Sequence, residues 1–140
     1  MARHKKTWSE KLSDAKDLPK TMVIPAPLEV DAFMRQVPEG KVATISEIQK
    51  ALARKHRVTV ACPLTTGIFA WIAANASVEA GHGDATPYWR TLKTGGEINA
   101  KYPGGAKEAA RHLRAEGHKI VKKGARYFVA NYEKALASLP

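Results

Sequence analysis

TPYWRTLKTGGEINAKYPGG, residues 86–105, sets two aromatic rings and an arginine ahead of a Gly-Gly turn and a second, Tyr-Pro-Gly-Gly turn. Rings and guanidinium planes both stack on flat ligands, so Tyr88, Trp89, Arg90 and Tyr102 suit one wall of a pocket. The same residues also read as a strand, a tight turn and a second strand, with Tyr88 and Trp89 in the core. This stretch leaves both readings open, and the rest of the chain has to decide between them.

Charge is the strongest global feature: 23 Lys and Arg stand against 13 Asp and Glu, a net +10 at pH 7. Such a balance predicts a polyanionic partner, because each phosphate neutralised releases counterions. The excess peaks in residues 101–126, where eight cations face two carboxylates. A length of 140 residues fits one folded domain with its own core. No apolar run reaches the roughly 18 residues of a membrane span, and the basic N-terminus lacks the apolar segment of a secretory signal. A lone cysteine, Cys62, excludes an internal disulfide and any CxxC site. The five histidines show no paired ligand spacing. These features predict a cytoplasmic protein with no metal, no cofactor and no membrane partner.

Along the chain, residues 1–27 read as a basic, proline-punctuated arm with a short helix around Trp8, Leu12 and Ala15. Residues 28–140 read as the domain. Val30, Phe33, Met34 and Val37 predict a first helix. Thr44 and Glu47 form a capping box that opens a second, with Ile45, Ile48 and Leu52 inward. Pro63 opens a third, its core face assigned to Leu64, Ile68, Trp71 and Ile72. Thr65, Thr66, Ala70, Ala73 and Ala74 are left as a slim outer face that would enter a nucleic-acid groove. Residues 76–86 read as a polar loop, with His82 solvated. Gly104-Gly105 lead into a helix through Ala106, Ala109, Ala110 and Leu113, stopped at Gly117. His118–Val121 and Arg126–Val129 predict a hairpin with a basic tip, and residues 131–138 a last short helix. The fold class is therefore α+β, mainly helical: a winged helix-turn-helix with a small β-hairpin wing.

From Val30 to Gly117 the chain resembles the DNA-binding C-terminal domain of the O6-alkylguanine-DNA alkyltransferases and their non-catalytic alkyltransferase-like relatives. The likeness rests on Pro38-Glu39-Gly40-Lys41-Val42-Ala43-Thr44 with Glu47-Ile48, Asn75 after a helix, Pro87-Tyr88-Trp89-Arg90, Tyr102-Pro103-Gly104-Gly105, and Leu113 with Glu116-Gly117. It implies a monomer on double-stranded DNA, with a helix in the minor groove and a guanine turned into a pocket, where O6-alkylguanine would be read. Thr65, Thr66, Ala73 and Asn75 would belong to the groove helix and its hinge. Lys41, Thr44, Ser46, Lys122 and Lys123 would contact phosphates. Tyr88, Trp89, Arg90, Tyr102 and Glu116 would form the former alkyl pocket, as a lesion sensor or a filled remnant.

Where the family reads Pro-Cys-His-Arg, this chain has Tyr88 and Trp89 at the cysteine and histidine positions. Dealkylation needs a thiolate activated through the histidine, so the expectation is a DNA-repair protein without catalytic residues. The family's nucleotide-rotating tyrosine corresponds to Ile45 and its space-filling arginine to Ala73. Two other classes remain: an enzyme using Glu116 and Tyr88 as acid and base on a small substrate, and a basic protein-interaction module. A Cys62 nucleophile is a further, lesser reading, since a helix N-terminus lowers a thiol pKa.

Overall fold

The computed structural model describes residues 21–80 and 85–140. The expected helix around Trp8 and the loop residue His82 lie outside them. In order come β1 (Met22–Val23), α1 (Pro27–Arg35), β2 (Ala43–Thr44), α2 (Ile45–His56), β3 (Val60–Ala61) and α3 (Pro63–Ala80). A 3₁₀ turn (Tyr88–Arg90), β4 (Thr91–Leu92), α4 (Gly105–Ala115), β5 (Ile120–Lys123), β6 (Arg126–Val129) and a second 3₁₀ turn (Tyr132–Ala135) follow. Among the described residues the chain is thus a mixed α/β fold of four helices and small two-stranded sheets.

Local chemistry explains the helix ends. Pro27 presets the first turn of α1, and the Glu29 carboxylate reaches back to accept the Ala26 N–H at 3.0 Å. Thr44 Oγ1 accepts the Glu47 N–H at 3.4 Å and starts α2. Gly117, at φ +94°, ends α4 in the left-handed conformation that glycine adopts without strain. In the hairpin Lys122 pairs with Tyr127 and Lys123 with Arg126. Gly124, at φ +62°, fills the first of two turn positions, as a tight primed turn requires.

Several expectations are corrected. The stretch from 86 to 105 is not a strand pair. It contains a 3₁₀ turn, then a two-residue strand running parallel to β2, and only a single bridge, Glu97 to Phe128, on its far side. The tail forms a 3₁₀ turn where a helix is predicted, because Asn131 enters it at φ +55°. The expected polar loop from 76 is helix as far as Ala80. Of the expected arm, Met22–Val23 pairs with Val60–Ala61, so the described part is tied to the domain.

The largest correction concerns α3. Thr66, Ala70, Ala73 and Ala74 are buried, while Leu64, Ile68, Trp71 and Ile72 are 71%, 43%, 45% and 42% exposed. The predicted faces are reversed. α3 packs on Val30, Phe33 and Met34 of α1 and on the rings of Tyr88 and Tyr102. Those bulky neighbours fill the interior, so only small side chains fit opposite them. A second cluster of Val42, Leu92, Ile98, Ala110, Leu113 and Val129 fills the space between α4 and the hairpin. Trp89 packs against both clusters.

Candidate nucleic-acid interface

The PYWR turn folds inward. Tyr88 is 5% exposed and its hydroxyl donates to the Pro103 carbonyl at 3.1 Å. Its ring meets Trp89 and Tyr102 edge to face, at centroid distances of 5.4 and 5.6 Å. Burial pushes the Tyr88 phenol above its ordinary value, and the Glu108 charge adds to that. Tyr102 is raised further, also by burial. Both phenols stay protonated and neutral through the physiological range.

Beside them the Trp89 indole stacks on the His112 imidazole at 4.0 Å and 12°. Trp89 Nε1–H donates to Glu116 Oε2 at 2.7 Å, and Arg90 donates to both Glu116 oxygens through Nε and again through Nη2, at 2.9–3.1 Å. The Gly40 N–H reaches the same carboxylate at 3.4 Å, and Arg90 Nη1 also donates to the Val37 carbonyl at 2.9 Å. Burial works to raise the Glu116 carboxyl, but these donors outweigh it and hold it below the usual carboxylate range. A carboxylate so occupied is an anchor, with no lone pair placed for proton transfer. The pair Glu116 and Tyr88 therefore lacks the geometry of an acid–base site. Tyr88, Trp89, Pro103, Glu108 and His112 line an open groove of about 330 Å³.

The outer face of α3 is different in kind. Leu64, Ile68 and Trp71 line an open trough of about 630 Å³ whose opposite bank carries Lys93, Asn99 and Lys101. Trp71 Nε1–H donates to the Lys101 carbonyl at 3.0 Å and ties the helix to that bank. Lys93 and Lys101 are exposed. The sequence reading missed these residues as a surface, because α3 is apolar all round and periodicity does not say which side faces inward.

The predicted site residues divide. Lys41, Lys122 and Lys123 are exposed, with Lys122 over the Tyr127 ring and Lys123 over Phe128. Thr66 and Ala73 are buried and cannot face a groove. Thr44 is buried and its hydroxyl oxygen is occupied as the cap of α2. Ser46 Oγ is paired with Thr94 Oγ1 at 3.1 Å, and Thr65 Oγ1 donates to the Cys62 carbonyl at 3.4 Å. Asn75 is exposed but sits inside α3, its side chain donating to the Trp71 carbonyl at 2.9 Å, so it is no hinge. The Cys62 thiol is lowered by hydrogen bonds from the Thr65 side chain and the backbone at the start of α3. Among the described residues, no group of three or more metal-ligating side chains converges, and no helix is long and apolar enough to cross a membrane.

The architecture is the one seen in an alkyltransferase-like protein. Among solved structures the chain is similar to S. pombe Atl1 in complex with damaged DNA containing O6-carboxymethylguanine, at a TM-score of 0.56 and 18% identity. It is equally similar to the S. pombe ATL–DNA complex, at 0.57 and 18%. Each likeness covers 80% of this chain and 94% of the other. No protein-family model matches the chain, and no curated protein does.

Proposed function

We propose that this chain is a non-catalytic, duplex-DNA-binding protein of the alkyltransferase-like kind, acting in DNA repair. The observation that carries this reading is the outer face of α3. It is a solvent-facing stripe at the second helix of a helix–connection–helix unit, banked by lysines, on a fold similar to that of a protein solved with DNA. α3 lies in the groove, the β5–β6 hairpin acts as a wing, and Lys93, Lys101, Lys122 and Lys123 neutralise phosphates. Alkyl transfer is absent, since Tyr88 offers a buried, neutral phenol where a thiolate is needed.

A lesion sensor needs room for a turned-out base at Tyr88. Tyr88 and Tyr102 are buried and pack edge to face, with Trp89 against Tyr88, which supports a filled remnant beside a shallow groove and an affinity that does not depend on O6-alkylation. Fluorescence anisotropy with matched duplexes, plain or carrying one O6-alkylguanine, at two salt concentrations tests both parts. Equal, salt-sensitive affinities are expected. A preference for the modified duplex would reopen the pocket, and no binding at low salt would remove the DNA reading in favour of an acidic protein partner.

A further inference from the structure

On the reading that α3 lies in a duplex groove, we propose that Trp71, backed by Leu64 and Ile68, is an apolar wedge that enters a base step and unstacks it. Three observations converge on it. The indole spends its one polar atom on the Lys101 carbonyl at 3.0 Å, which fixes the orientation of a residue that is 45% exposed. Leu64 and Ile68, seven and three residues earlier, continue the stripe and are 71% and 43% exposed. Gly67 lies one turn before Trp71, and a methyl group there would meet no atom within 4 Å. Nothing inside the fold requires that glycine, yet its bare backbone keeps the trough beside the indole open.

The chemistry selects the occupant. Hydrocarbon gains nothing from a phosphate, whereas base faces exposed by unstacking are flat and apolar and are matched by inserted side chains. Lys93 and Lys101 on the opposite bank match the flanking phosphates. Ala73 is buried, and no arginine points from α3 into the trough. The wedge kinks the duplex without sending a base to the Tyr88 cluster.

The test uses duplexes carrying 2-aminopurine, whose emission rises on unstacking, at successive positions. Anisotropy of the same samples reports complex formation. The wild-type protein is expected to raise emission as it binds. Trp71→Ala is expected to bind about tenfold or more weakly and to lose the rise at saturation. Trp71→Phe should restore both, which separates a lost ring from a damaged fold. Flat emission on a saturated duplex, or a full rise with Trp71→Ala, would overturn the wedge and leave duplex binding standing. No anisotropy change at low salt would overturn both.

Discussion

Glu116→Ala is expected to be among the most damaging single changes in this chain, for a structural reason. The Glu116 side chain is 7% exposed and that of Arg90 15%, so the substitution strands a nearly buried guanidinium. Breaking such a pair costs about 3–5 kcal/mol, most of it the penalty of the orphaned charge. The Trp89 and Gly40 N–H groups lose their acceptor in the same step. At roughly 3–5 °C per kcal/mol for a domain of this size, Tm should fall by about 10–20 °C. Arg90→Ala should cost a similar amount, while the double variant should lie within about 1 kcal/mol of either single, because the second deletion removes the stranded charge. Urea unfolding at pH 7 reads all three. The sign against pH follows from the lowered carboxyl. Its contribution is complete above the ordinary carboxylate pKa and is lost as pH falls through the lowered one, so the Glu116→Ala penalty should shrink in acid. Additive single and double effects would refute the reasoning, and so would a penalty independent of pH.

Three further outcomes are expected. Glu29, which joins Lys55 at 2.7 Å and His56 at 2.6 Å, has its pKa lowered to about 2 by Lys55 first, then by the Ala26 N–H and His56. Glu29→Gln should cost about 1 kcal/mol at pH 7 once solvent screening is allowed for. That difference should vanish between the ordinary carboxylate pKa and pH 2, as followed by thermal melts. Gly67→Ala should raise stability by up to about 1 kcal/mol, since glycine is the poorer residue inside a helix, while lowering duplex affinity. Stability and affinity moving together would refute an open trough. Lys122→Ala and Lys123→Ala should each flatten the log Kd against log salt slope by about 1 if each lysine meets one phosphate; an unchanged slope would remove the hairpin from the interface.

Much of the architecture was legible from local signals. Pro63, Thr44 with Glu47, Gly117 and the Gly124 turn each fix a boundary through backbone chemistry that depends on few neighbours. The hairpin and its exposed lysines follow from the same kind of signal. Orientation was not legible. With apolar residues on both sides of α3, its buried face is set by the Tyr88 and Tyr102 rings, which arrive from later in the chain. The groove residues assigned to Thr66 and Ala73 failed with that choice. Tyr88, Trp89, Arg90, Tyr102 and Glu116, assigned together to a pocket, pack beside one another. Whether they enclose space or fill it was left open, because volume is a property of packing that spacing does not carry. The Trp89 stack on His112 had no signal in the spacing of its residues.

The position of Trp89, packed against both hydrophobic clusters, sets what this region tolerates. Tyr88, buried in one of those clusters, meets the indole edge to face. Placing smaller aliphatic side chains at both positions would leave volume unfilled at and beside the seam between the clusters and would take the indole N–H away from Glu116. Truncating a buried aromatic ring such as Tyr88 costs about 3–5 kcal/mol, a large share of the roughly 5–15 kcal/mol by which a domain is stable. Any smaller pair of residues here would have to be matched by other side chains that refill the seam. The two rings are thus scaffold as much as surface: folding itself constrains what residues 88 and 89 can become.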